Sequence, residues 1–232
     1  MKNRIVLILS FLFIAIRIFS QEVELSKQKF FPDSLLLKSN NNFSNNSGSI
    51  NVSHYLQCNQ TWSNNQLGNC SNATICSDGC ALVCATMILT TNGIGLDPGM
   101  LNNWLNSNNG YANGCLIKWD IAATYPRSTT NYIGTANYSL STMRNEIDNG
   151  NPIIINVILP NNLNHFILVK GYQNSGININ DFIVLDPLKY TETNLSSYTI
   201  ASNPALRLFH NVSPTWTITI NNPSGGETWL TH

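Results

Sequence analysis

The chain opens on an unbroken apolar stretch, "IVLILSFLFIAI" at positions 5–16, behind Lys2 and Arg4 and ahead of Ser20 and Gln21. A basic start, a short apolar run and a small residue before a polar one make residues 1–20 a secretory signal peptide. The run is short for a membrane span, and Arg17 interrupts its end. Residues 21–50 are polar, end in the asparagine and serine tract "NNNFSNNSGS" and lack apolar periodicity, so a linker or pro-like segment is expected there.

From 51 to about 210 the pattern becomes that of a folded domain. "CALVCATMILTTNG" is apolar nearly all round and stops at Gly93, which predicts a buried helix with a glycine end. "PGMLNNWLN" begins with Pro98, suited to a first helical turn, and sets Met100, Leu101, Trp104 and Leu105 on one face. "SLSTMRNEIDNG" offers Ser139 or Ser141 as a cap, Leu140, Met143 and Ile147 in helical register, and Gly150 as a stop. Three apolar runs follow, "PIIINVIL", "HFILVKGY" and "DFIVLDP", whose length and β-branched content predict strands. Helices first and strands afterwards define an α+β domain.

Beyond Pro214 the character changes again. "TWTITI" alternates as a strand does, and "NNPSGG" is turn chemistry. Residues 214–232 therefore read as the start of a β-sandwich-like repeat that is incomplete, as in a truncated product or a shortened relative.

Charge removes some classes of partner. Lysine plus arginine balances aspartate plus glutamate at 12 each, and only 10% of residues are charged. With no basic run, nucleic acid has no electrostatic handle on this chain. Sequons such as those at Asn51 and Asn137 carry glycans only in a host that glycosylates. The expected location is secreted or cell-surface, with no integral span once the signal is removed.

The cysteines change the picture most. Cys58, Cys70, Cys76, Cys80, Cys84 and Cys115 crowd one stretch of an exported chain, where disulfides are the default. If all six pair, none is a nucleophile; if one is catalytic, at least one more stays unpaired. Zinc is a poor alternative, because the spacing lacks paired C-x-x-C geometry and no histidine stands at ligand spacing.

A nucleophilic thiol attacks as its thiolate, which a helix N-terminus stabilises through unpaired N–H groups and the dipole. Cys80 follows Gly79 at the expected start of the buried helix, with Asp78 as the expected N-cap. Cys84 lies one turn deeper and is expected to be packed or bridged. A base and an orienting group must come from elsewhere in the chain. His165 begins one strand, Asp186 closes the next in "VLDP", and Gln57 in "HYLQCNQTW" offers an amide N–H upstream of the thiol. Singly, each of these three has an ordinary surface or turn reading.

The order of these residues resembles that of the C39-like cysteine peptidases. "YLQCNQTW" is similar to the family's Tyr-x-Gln with a following Trp, and "DGCALVCATMILTTNG" to its Gly-Cys helix. "GNPIIINVILPNNLNHFILVKGY" is similar to its strand, loop and His-strand block, and "FIVLDP" to its final Asp-Pro. The resemblance covers roughly residues 51–195, and Ala81-Leu82-Val83 departs from the Gly-Pro-Thr that many members carry after the cysteine. It implies a papain-like fold, with the nucleophile on a buried helix packed on a mainly antiparallel sheet, in a domain spanning 51–210. It also implies roles: Cys80 as nucleophile, His165 as general base and later acid, Asp186 as orienter, Gln57 as oxyanion donor. Peptide-bond hydrolysis through a thioester would follow, with a peptide or protein substrate and no metal or organic cofactor. The cysteines are more numerous than the resemblance leads one to expect. Cys70 and Cys76 flank the approach to Cys80, and a bridge between them, stiffening that loop, is the first pairing expected.

Two other readings stay open on sequence alone. A papain-like cell-wall amidase or endopeptidase would use the same cysteine and histidine. A non-catalytic binding or adhesion module could keep the fold with Cys80 oxidised.

Overall fold

In the computed structural model, residues 46–211 are described apart from 92 and 203, together with the backbone of 217–221 and 227–231. The expected signal peptide and most of the 21–50 segment lie outside the described residues. Structure is already present before the expected boundary at 51. Strand β1 (Gly48–Ser49) pairs with Tyr172 and Gly171, and Asn46 O accepts the Ser175 N–H at 2.7 Å.

Helices come early. α1 (Ile75–Asp78) is capped by Thr74, whose hydroxyl accepts from Ser77 N while the Ser77 hydroxyl accepts from Thr74 N. Gly79 then separates α1 from α2 (Cys80–Thr90). α3 (Pro98–Ser107) has proline in its first turn, as expected, and Asp97 as N-cap, accepting from Met100 N at 2.8 Å. A hairpin of β2 (Tyr111–Ala112) and β3 (Leu116–Ile117) leads to α4 (Trp119–Ala123), β4 (Thr130–Asn137) and α5 (Leu140–Asp148). Ser139 rather than Ser141 caps α5. Gly150 and Gly93 both have φ near +80°, so the two expected glycine stops sit in the left-handed region that closes helices.

The three predicted strands are β5 (Ile153–Ile158), β6 (Asn164–Tyr172) and β7 (Phe182–Leu185). Short β8 (Thr193–Asn194) and β9 (Thr199–Ile200) follow, then β10 (Ala205–Asn211). The sheet runs β4-β10-β5-β6-β7-β8, with β1 beside β6 and β9 beside β5, and every pairing is antiparallel. β11 (Thr217–Asn221) and β12 (Glu227–Thr231) pair with each other as an antiparallel hairpin. The domain is thus α+β on a large antiparallel sheet, as the order of elements predicted.

Both faces of the central strands are covered. Ile154, Leu168 and Leu185 pack with the apolar residues of α2, α3 and α4, whereas Ile153, Ile155, Val157, Ile167, Val169 and Val184 pack with Met143 and Ile147 of α5. Strands buried on both faces read as continuous apolar runs, which is why β5, β6 and β7 were visible in the sequence. Edge strand β4 alternates half-buried and exposed positions after a buried Thr130 and, like β10, carries no such run.

α2 is buried on almost every side, from Leu82 to Thr90. α3 departs from its expected face. Leu101 and Leu105 are buried, but Met100 is 46% exposed, and Asn102 takes an inner place instead. The Asn102 carboxamide accepts from Gly68 N and Tyr111 OH and donates to Gln66 O, so a polar side chain is satisfied inside the helix–loop junction.

Ile88→Ala removes most of a fully buried side chain from α2. We expect a loss of about 2–5 kcal/mol, read as a lower urea midpoint with an unchanged slope.

Candidate active site

Cys80 is the first residue of α2, and its placement depends on Gly79. A Cβ at residue 79 would lie 2.8 Å from Ile75 Cα, so only glycine lets α1 turn so closely into α2. Gly79 is the N-cap and contributes no side-chain hydrogen bond. The expected Asp78 cap is therefore corrected: Asp78 ends α1, and its carboxylate accepts from the Ser77 hydroxyl at 2.6 Å. The capping role falls one helix earlier, on Thr74, because the chain already turns helically before Cys80. With no side-chain acceptor over the first turn of α2, its N–H groups are left for other partners.

His165 and Asp186 meet through sheet register. Val157 faces His165 across β5 and β6, and Leu168 faces Leu185 across β6 and β7. Asp186, one residue on, falls diagonal to His165, and Nε2 of His165 lies 2.6 Å from Asp186 Oδ1. Only 2% of His165 and 1% of Asp186 are exposed. An ionised carboxylate only accepts, so Nε2 carries the proton and Nδ1 is left for the thiol. The Cys80 side chain, at the start of α2, lies close enough to His165 to raise its pKa. Cys84 Sγ donates to Phe166 O at 3.4 Å, fixing the start of α2 against the start of β6.

Burial by itself pushes the His165 pKa down. Hydrogen bonds to Asp186 and Cys80, with the charges of both, outweigh it and raise the value from 6.5 to about 9. Burial likewise pushes Asp186 up, but hydrogen bonds from His165, Tyr198 and Leu188 N win, and its pKa is lowered. Both shifts favour the imidazolium–carboxylate form of the pair, the form reached when the ring takes a second proton at Nδ1.

Asp186 has more partners than the sequence suggested. Its Oδ1 also accepts from Leu188 N at 2.8 Å, and its Oδ2 accepts from the Tyr198 hydroxyl at 2.6 Å. Tyr198 arrives just ahead of β9, with Lys189 Nζ 4.3 Å above its ring. His54 Nε2 donates to the Asp186 carbonyl at 3.0 Å. Neither residue was legible beforehand, since "SSYT" and "VSHY" carry no motif and their contact with Asp186 spans separate segments.

Gln57 is buried, with 3% exposed, and is fastened from two sides. Its backbone N–H donates to Pro187 O at 2.9 Å, and its side-chain Nε2 donates to Cys76 O at 2.6 Å. Its Oε1 is buried without a hydrogen-bond partner. In an uninterrupted helix the Cys76 carbonyl would face the Cys80 N–H. Donating to that carbonyl leaves the Gln57 amide one N–H of its own to spare.

Two disulfides close the surrounding loop, Cys58–Cys76 and Cys70–Cys115. The expected Cys70–Cys76 bridge is overturned. Cys76 N donates to Ser63 O, which draws Cys76 onto the segment after Gln57, while Asn69 N donates to Gly114 O and brings Cys70 to Cys115. Cys80 and Cys84 remain as thiols. Cys84 is fully buried and its pKa is raised well above the usual range by burial first, then by Cys80 and Asp186, as expected of a core thiol.

The arrangement is a thiol at a helix start near a buried histidine, itself bonded to a carboxylate, on an α+β scaffold. That combination defines the class of cysteine peptidase-type sites. The chain belongs to the Peptidase_C39 like family, which it matches over residues 49–211. Neither a curated protein nor a solved structure matches it. The two disulfides are compatible with an extracellular protein, and among the described residues no helix is long and apolar enough to cross a membrane.

Two outcomes follow from the pair's electrostatics. A histidine whose folded pKa is raised contributes stability fully present below pH 6.5 and lost as pH rises through about 9. The wild-type urea midpoint should fall across that window more steeply than that of His165→Gln. Tyr198→Phe removes one charge-assisted hydrogen bond from a buried carboxylate and should cost about 1.5–3 kcal/mol at pH 7 in the same assay.

Proposed function

We propose that this chain is a secreted, papain-like cysteine peptidase in which Cys80, His165, Asp186 and Gln57 perform peptide-bond hydrolysis. The observation that carries the reading is His165, buried, bonded to the Asp186 carboxylate and within interaction distance of the Cys80 side chain. Secretion is supported by the basic and apolar start of the sequence and by the two disulfides.

In this reading Cys80 Sγ attacks the carbonyl carbon as its proton passes to His165 Nδ1. Asp186 keeps the ring oriented through Nε2, and the resulting imidazolium is stabilised by the carboxylate beside it. The oxygen that gains charge is received by the Cys80 N–H and the spare Gln57 amide N–H. Two such donors in a water-poor site are worth most where charge develops. Collapse of the tetrahedral adduct breaks the C–N bond, and His165 returns the proton to the departing amine. Water then attacks the thioester with His165 as base, releasing the acid and regenerating the thiol. Buried Cys84, bonded to Phe166 O, has no part in these steps.

Iodoacetamide applied near neutral pH without reductant should label Cys80 selectively, leaving Cys84 unmodified by mass spectrometry. Labelling should be lost in His165→Ala, and cleavage of a peptide library should be lost in both His165→Ala and Cys80→Ala. Cys80 found in a disulfide, or labelled equally fast without His165, would reject the peptidase in favour of a binding module.

A further inference from the structure

The Cys58–Cys76 disulfide joins the residue next to Gln57 to the residue whose carbonyl holds the Gln57 amide. Its two half-cystines are only 4.5 Å apart at Cα. Two links of different kinds cross that short span, and a third leads from it to the loop after Asp186. The covalent bridge ties Cys58 to Cys76. The Gln57 side chain donates to Cys76 O, and the Gln57 backbone N–H donates to Pro187 O, one residue past Asp186. The segment 54–58 therefore lies between the loop that holds the carboxylate and the turn that presents the thiol. His54 adds a further bond from that segment to the Asp186 carbonyl.

From this geometry we infer that Cys58–Cys76 is a positioning clasp for the oxyanion donor, acting on turnover through Gln57 and leaving the thiol's own reactivity alone. The inference rests on the peptidase reading above. The physical reason lies in the state of the Gln57 amide. Its Oε1 is buried and unpartnered. A buried amide oxygen without a donor is a standing penalty, and a free side chain would turn to relieve it. The hydrogen bond to Cys76 O is what opposes that turn, and it exists only while Cys76 stays against residues 57–58. A covalent link beside the hydrogen bond keeps the acceptor in place. Cys70–Cys115 closes the same loop at its other side and has no bond to Gln57, so it serves as the internal comparison.

The consequence can be read by separating two reactions of the same sulfur. Alkylation by iodoacetamide is a displacement at carbon that develops no oxyanion. Ester hydrolysis passes through a tetrahedral oxyanion and needs the Gln57 amide. In the full exported chain, Cys58→Ala/Cys76→Ala should hydrolyse p-nitrophenyl acetate with kcat reduced about 10- to 100-fold, its KM little changed. Its Cys80 should still be alkylated at the wild-type rate. Cys70→Ala/Cys115→Ala should keep a near-wild-type kcat although it also lacks a bridge. Gln57→Ala supplies the decisive comparison. It should cost about 100-fold in the bridged protein and much less in the Cys58→Ala/Cys76→Ala background, because coupled groups are non-additive.

Additive losses, or equal kcat in both bridge-free proteins, overturn the clasp. A wild-type protein that neither turns over the ester nor shows selective Cys80 labelling fails the peptidase reading itself, and the clasp with it. If the double variant does not fold, wild-type protein titrated with dithiothreitol gives the same answer. Two thiols of the reagent supply two electrons and two protons, opening the bridge to two thiols while the reagent closes to its cyclic disulfide. Turnover that falls with the fraction of Cys58–Cys76 opened, at constant circular dichroism and constant Cys80 alkylation, supports the clasp. Turnover independent of that fraction rejects it.

Discussion

The hydrogen bond between His165 and Asp186 organises everything around it. Two ionisable side chains lie almost fully out of water, and neither could stay there alone, because an unpaired buried charge is among the costliest features a fold can carry. Asp186 meets that requirement with a full set of donors: His165 and Leu188 N at one oxygen, Tyr198 at the other. Its own carbonyl and that of Pro187 then receive His54 and Gln57. One loop at the end of β7 thereby gathers three separate segments of chain. The geometry of the thiol follows from where those segments come to rest.

The remaining constraint is how a helix can start with a reactive group unhindered. α2 begins abruptly at Gly79, where any side chain would collide with Ile75. Everything after the first turn of α2 is buried between the sheet and α3 and α4. The helix thus has one end fixed by packing and the other open to chemistry. Cys84 illustrates the division. It stands one turn from Cys80 on the same helix, yet burial makes it an inert packing residue with a raised pKa. Position along the helix, and not residue type, decides which thiol is buried and which is accessible.

The disulfides show how a loop rich in turns can be made definite. Residues 57–76 hold little regular structure apart from α1, and two cross-links with a set of main-chain bonds replace the ladder that a strand would provide. Small buried polar side chains contribute as well. Asn102 ties Gly68, Gln66 and Tyr111 together from within α3.

What the sequence determined by itself is local. Continuous apolar runs announced β5, β6 and β7, since strands covered on both faces need no polar alternation. Glycines at 93 and 150 announced helix ends, because those positions require a left-handed backbone. Gly-Cys before an apolar helix, a histidine opening one strand and Asp-Pro closing the next could be read in order along the chain. Tertiary structure decided what depends on partners distant in sequence. Strand register brought His165 to Asp186, and the approach of β9 to β5 delivered Tyr198, which has no signature of its own. Main-chain bonds at Ser63 and Gly114 chose the disulfide partners, against the pairing expected across the approach to Cys80. The start of α1 at Thr74 moved the cap away from Asp78. In each case the deciding energy is a hydrogen bond or a contact between segments that only the folded chain brings within reach, and composition or periodicity does not encode it.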